Sequence, residues 1–244
     1  MLTVMSARRW LGLCALIGCG RVGFAPLGED ARAGADALRD SAAAVDGALG
    51  SANVQTSKPI GGADGLTFTI EPTQPGTLLV ASIAFNSQGT LALPPGWQLA
   101  LMDGTAGACS ALLAYELANP GGVTSLTFTL GGNTPIVGMI SEWAGPSALG
   151  VMGSTVQGQP SITQSVQAAN PAQGMELAIT AFCEDDNNPT FTPGAGWTQL
   201  GEFSNVASSP SLASDARFVP AGAVDETITS SVAGKYAAVI ATFR

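Results

Sequence analysis

Histidine is absent from all 244 residues of the chain. That absence removes the commonest general base, the serine–histidine nucleophile arrangement and the usual zinc ligand. Charge is scarce as well. Charged residues make up 11%, against about 25% in an ordinary soluble domain. Lysine occurs only at Lys58 and Lys235, and the balance is acidic, with a net charge of −9. An acidic surface repels phosphate backbones, which excludes nucleic acid as a natural partner. Carboxylate-pair glycosidase chemistry and calcium coordination pass this filter, because neither uses imidazole. No nucleophile motif is present and no pattern asks for a cofactor.

The N-terminal apolar run, Trp10–Ile17, has eight residues. A hydrocarbon core of about 30 Å needs roughly 20. With Arg8 and Arg9 before it, the run reads as the apolar region of a signal peptide. It ends in Leu16-Ile17-Gly18-Cys19, which resembles the lipobox of bacterial prolipoproteins. The resemblance implies removal of residues 1–18 and attachment of diacylglycerol to the Cys19 thiol. A further acyl chain such as palmitate would then join the new N-terminus. Two or three chains anchor firmly, since each buried methylene contributes about 0.8 kcal/mol. Loss of Arg8 and Arg9 would leave a net charge of −11. Gly20, rather than Asp, follows the cysteine; in a Gram-negative host this resembles an outer-membrane sorting signal. An ordinary secretory signal that happens to contain cysteine is the competing reading.

Residues 19–58 read as a lipidated N-terminus and tether. Glu29–Leu49 is rich in Ala, Asp and Gly and has no aromatic residue. It offers too little large apolar surface to offset ordering entropy, so a flexible or partly helical spacer is expected.

From residue 59 to 244 the pattern is all-β. Leu66–Ile70 and Leu126–Leu130 alternate with period two, as strands buried on one face do. Leu78–Phe85 and Ile136–Trp143 are more continuously apolar, and Pro-Gly and Gly-Gly-Asn turns separate the runs. The chain also repeats itself. An offset of 100 pairs Trp97 with Trp197, Gly96 with Gly196, Leu112 with Leu212, Pro120 with Pro220 and Ile140 with Ile240. Upstream, the run from Gly76 matches the run from Gly174 at a slightly smaller offset. A half of four or five strands would cover its own apolar face poorly. The expected fold is therefore a pseudo-twofold duplicated β-sandwich, jelly-roll-like, with halves at about 60–146 and 160–244.

Pro75–Ala81, Pro94–Trp97, Leu112–Tyr115, Leu126–Thr129 and Gly138–Ser141, with Ala237–Phe243 closing the second round, resemble a widespread bacterial β-sandwich family. Its members are secreted and surface proteins, often without assigned function. The lipobox followed by Gly20–Phe24 resembles short lipoproteins of myxobacteria. The resemblance implies fold and location; its motifs are turn and core residues, and it carries no catalytic residue across.

Several residues are candidate sites. Glu184, Asp185 and Asp186, followed by two asparagines, form the one dense oxygen cluster. It is expected on a loop, as a weak calcium candidate against a solvated acidic loop. Asp225-Glu226 beside a turn is expected at the surface. Asp215 and Arg217 interrupt a strand that is apolar in the first half, which predicts a wet face there. Glu142 suggests a glycosidase acid, but sequence names no partner for it. Trp97 and Trp197 are sugar-stacking candidates or equivalent core anchors. Cys109 and Cys183 remain after Cys14 leaves with the signal and Cys19 is lipidated; outside the cytoplasm such a pair commonly forms a disulfide.

The favoured expectation is a non-enzymatic envelope or surface lipoprotein, anchored in the membrane by lipid, whose sandwich serves adhesion, structure or protein binding. The alternative is a carbohydrate-binding module at the cell surface, and a third, minor reading is a glycan-active enzyme.

Overall fold

The computed structural model describes residues 52–86, 90–104, 109–185, 188–204 and 210–244. Cys19, the signal segment, Glu29–Leu49 and Asp186 lie outside the described residues.

The first half contributes β1 (Asn53–Thr56), β2 (Ile60–Ala63), β3 (Gly65–Thr69), β4 (Leu78–Phe85), β5 (Gln98–Gly104), β6 (Ser110–Glu116), β7 (Ser125–Thr129) and β8 (Pro135–Trp143). The second contributes β9 (Leu149–Gln167), β10 (Glu176–Glu184), β11 (Phe191–Thr192), β12 (Thr198–Phe203), β13 (Ser211–Val219) and β14 (Asp225–Phe243). Pairing already begins at Asn53, opposite Trp143, inside the segment expected to be tether.

Two six-stranded antiparallel sheets result. One runs β1-β8-β4-β6-β5 with β2 also on β8; the other runs β11-β14-β10-β13-β12 with β9 also on β14. β3 and β7 form a separate two-stranded layer. In the second half β9 and β14 do the work of several first-half strands. Residues 236–243 of β14 pair with 149–157 of β9 within the sheet. Residues 225–229 pair with 163–167 beyond it, as β7 pairs with β3.

Three apolar cores follow from this layering. The central one lies between the sheets and joins Leu78, Val80 and Trp143 to Leu177, Val239 and Phe243. The second lies between the first sheet and the β3–β7 layer and holds Phe68, Phe85, Trp97, Phe128 and Ile140. The third holds Val166, Phe182, Phe191, Trp197, Ile228 and Ile240. Each half therefore covers its own outer face, which was not expected, and the halves meet through their inner faces. This is why β4 reads as an unbroken apolar run: all eight of its residues are buried, with a dry layer on each side. β3 and β7 are wet on one side, so they alternate.

Face assignment also corrects the repeat. Leu112 points into the outer core of its half, whereas Leu212 points into the central core. The residue equivalent to Leu112 is Ala213, at an offset of 101. A one-residue shift reverses every side chain, so identity of residue type misled where register decides.

Three contacts join the sheets through the central core. Tyr115 meets Phe243 edge-on with centroids 5.6 Å apart. The hydroxyls of Ser82 and Ser214 lie 2.8 Å apart. Cys109 and Cys183 form a disulfide with Cα atoms 6.0 Å apart, closing a separation of 74 residues. A crosslink over such a span restricts the unfolded chain strongly. Replacing both cysteines with serine should lower unfolding stability by about 2–5 kcal/mol, measured by denaturant titration of the oxidised protein beside the variant; equal midpoints would show that the bridge contributes nothing.

Candidate functional site: buried carboxylates of the two halves

The Gly-Trp motifs are structural. Gly96 and Gly196 occupy positive φ, 89° and 78°, in tight turns closed by Trp97 N–H to Pro94 and Trp197 N–H to Gly194. The turns aim each indole into its outer core, where Trp97 meets Phe128 edge-on at 5.1 Å. With exposures of 7% and 8%, both tryptophans are buried.

Glu142 is fully buried at the end of β8 and holds three donors. Its oxygens accept from the Gln55 amide at 2.6 Å, the Gln74 backbone N–H at 2.7 Å and the Thr77 hydroxyl at 2.7 Å. In the second half the same junction is built in reverse. Glu176 stands where Thr77 stands, and Thr242 where Glu142 stands. Glu176 accepts from the Gln173 backbone N–H at 3.0 Å and from the Thr242 hydroxyl.

The acidic cluster is not gathered around a common point. Glu184 is the buried last residue of β10, bonded by the Gln164 amide of β9. Asp185 accepts the Lys235 backbone N–H at 2.8 Å and so closes the turn against β14. Among the described residues no group of three or more acidic or sulfur ligands is arranged for a metal.

The unexpected feature is a third group. Asp215 on β13 and Glu226 on β14 are 0% and 1% exposed, which corrects both surface expectations. Strand registers place Thr180 opposite Asp215, as Ala81 is opposite Ala114, and Glu226 opposite Val166, as Leu126 is opposite Phe68. An apolar trio of the first half, Ala81, Ala114 and Leu126, is thus replaced by Thr180, Asp215 and Glu226.

The polar trio is only partly satisfied. Thr180 Oγ1 donates to Glu226 Oε2 at 2.5 Å. Both oxygens of Asp215 and Oε1 of Glu226 have no such donor. Thr180 is the cross-strand partner of Asp215 and donates to Glu226, so the two carboxyls share one buried pocket. Burial raises the Glu226 carboxyl to about 10, helped by the charge of Asp215. Burial also raises Asp215, to about 6, with the charge of Glu202 adding to it. The first half has no counterpart of this pair.

Beside the pair lies a cleft of about 210 Å³ lined by Gly194, Trp197, Arg217, Asp225, Glu226 and Thr227. The Arg217 guanidinium rests over Gly196, where Glu116 rests over Gly96 in the first half. A retaining glycosidase holds its carboxyls about 5 Å apart, with substrate between them. The Asp215–Glu226 pair is shielded from solvent, a setting suited to holding a proton rather than to delivering one to a bound sugar. Sequence reading missed the pair because its members were judged separately. The signal that finds them is the change from apolar to acidic at two equivalent positions once the register is right.

Comparison with protein-family models, with curated proteins and with solved structures finds no match to this chain.

Glu142 gives a direct test of a satisfied carboxylate. Glu142→Ala should lower unfolding stability by about 2–4 kcal/mol, because three donors lose their acceptor in a dry junction. Urea denaturation reads this, and a loss below about 0.5 kcal/mol would show that the network is not structural.

Proposed function

We propose that this chain is a non-enzymatic envelope lipoprotein, held to a membrane by lipid on Cys19, whose duplicated sandwich is displayed for adhesive, structural or protein contact. The observation that carries the reading is where its chemically capable side chains lie. Trp97, Trp197, Glu142 and Glu176 are all buried in packing or in closed hydrogen-bond networks. What faces solvent is strand surface, including Leu99 and Met102 on the edge strand β5. The Cys109–Cys183 disulfide supports an oxidising compartment, as export through the signal at residues 1–18 would supply. The burial of both repeat tryptophans weighs against the carbohydrate-module alternative.

Two measurements test the reading. Cys19→Ser should move the protein from the detergent phase to the aqueous phase of a Triton partition; unchanged partitioning sinks the anchor. The same soluble variant, screened against polysaccharides and isolated envelope fractions, should retain envelope protein and give no glycan signal. Saturable glycan binding would replace the proposal with the carbohydrate reading.

A further inference from the structure

The outer core of the second half is closed by one layer, made of residues 161–167 of β9 and 225–230 of β14. Five residues of this layer are buried toward the sheet: Gln164, Val166, Glu226, Ile228 and Ser230. Glu226 accepts from Thr180 of the sheet beneath, whose cross-strand partner is Asp215.

We propose that the Asp215–Glu226 pair is an acid-retained latch, in which one shared proton holds this outer layer against its sheet and loss of that proton lets the layer open.

The geometry leaves few alternatives for balancing the pair. With the proton gone, two carboxylates in one dry, largely apolar pocket would carry two charges, and three of their oxygens have no donor. The surrounding charges do not relieve them. From β12, Glu202 faces Asp215 and adds negative charge. From β14, Asp225 lines the adjoining cleft, and Tyr236 is engaged with the Ser165 backbone. From β10, Glu176 and Glu184 share the face but are bonded at its two ends, to Thr242 and Gln164. From β13, Arg217 lines the cleft with its guanidinium over Gly196. Residues 161–167 of β9 contain no ionisable side chain.

The direction with pH follows from the raised carboxyls. A group that binds its proton more tightly when folded contributes stability fully present below the unfolded carboxylate range, about pH 4. That contribution is lost as pH rises through the folded values, about 6 for Asp215 and about 10 for Glu226. The layer should therefore be closed in acid and loosen toward alkaline pH. Opening would hydrate the carboxyls and expose Val166, Phe191 and Ile228.

The duplication supplies an internal control. The β3–β7 layer closes the first half over Ala81 and Ala114 with Leu126, and none of these residues ionises. Hydrogen exchange by mass spectrometry on the full, oxidised chain, at about pH 5 and about pH 9 and corrected for intrinsic rates, reads both layers together. Peptides covering 161–168 and 224–231 should lose protection by about tenfold or more relative to those covering 65–69 and 125–129. The double variant Asp215→Ala with Glu226→Leu, which installs the first-half residues, should abolish the difference. Equal responses of the two layers, or no response in either, would overturn the latch, and the wild-type comparison decides this without any variant. A pH response that persists in the folded double variant would also overturn it.

Discussion

The central strands of each six-stranded sheet are dry on both faces. The inner faces meet each other across the central core, and each outer face carries its own cover. A strand in that position cannot leave a polar group to water, so a buried hydroxyl, amide or carboxyl without a partner in the fold is costly. Trp143 donates to Ser141, and Ser214 donates to the Thr180 carbonyl. Ser82 and Ser214 join across the halves. The low content of charge is the compositional consequence: few positions of β4, β6, β8, β10 and β13 accept an ion.

The same constraint explains the exchange of glutamate and threonine between the halves. A backbone N–H just before the long central strand, Gln74 in one half and Gln173 in the other, needs an acceptor. A carboxylate can reach it from the neighbouring strand, as Glu142 does, or from the central strand itself, as Glu176 does. A threonine hydroxyl from the other strand completes the junction in each case. The repeat preserved a pair of functional groups and let the two strands trade them. No alignment of identical residues would reveal this, because neither position keeps its residue type.

The alternation of Leu66–Thr69 and Leu126–Thr129, the continuous apolar run of β4 and the Gly-Trp turns were legible in the sequence, because each rests on local periodicity or on backbone conformation. The duplication was legible for the same reason. Register was not. The match of Leu112 with Leu212 joined residues on opposite faces, and only cross-strand pairing separates an offset of 100 from one of 101. Asp215 and Arg217 alternate with apolar neighbours in a way that suits a half-wet strand, yet Asp215 is buried. Its partner Glu226 sits eleven positions away on a different strand, and a carboxylate's burial depends on whether such a partner exists. Glu184 was expected on a loop because the acidic cluster follows a strand, whereas it is the strand's own last residue, bonded to Gln164 of a strand twenty residues earlier.

The uneven covers raise the question of how the second half tolerates a buried acid pair. In the first cover the four inward residues are Leu66, Phe68, Leu126 and Phe128. In the second the equivalents are Gln164, Val166, Glu226 and Ile228, so two large apolar side chains have become polar. Burial of a leucine-sized side chain contributes about 1.5–3 kcal/mol, so the second cover is held by a weaker apolar contact. Its connection differs in the opposite sense. β7 and β8 are separated by residues 130–134, where Gly131, Gly132 and Asn133 all take positive φ. β14 runs from sheet to cover in one strand, as does β9. A cover continuous with two sheet strands has less chain entropy to lose on docking than one joined through flexible turns. Covalent continuity can thus stand in for part of the missing apolar contact. It leaves the second cover well placed in space but less firmly held, which is the condition under which a single shared proton can matter to its closure.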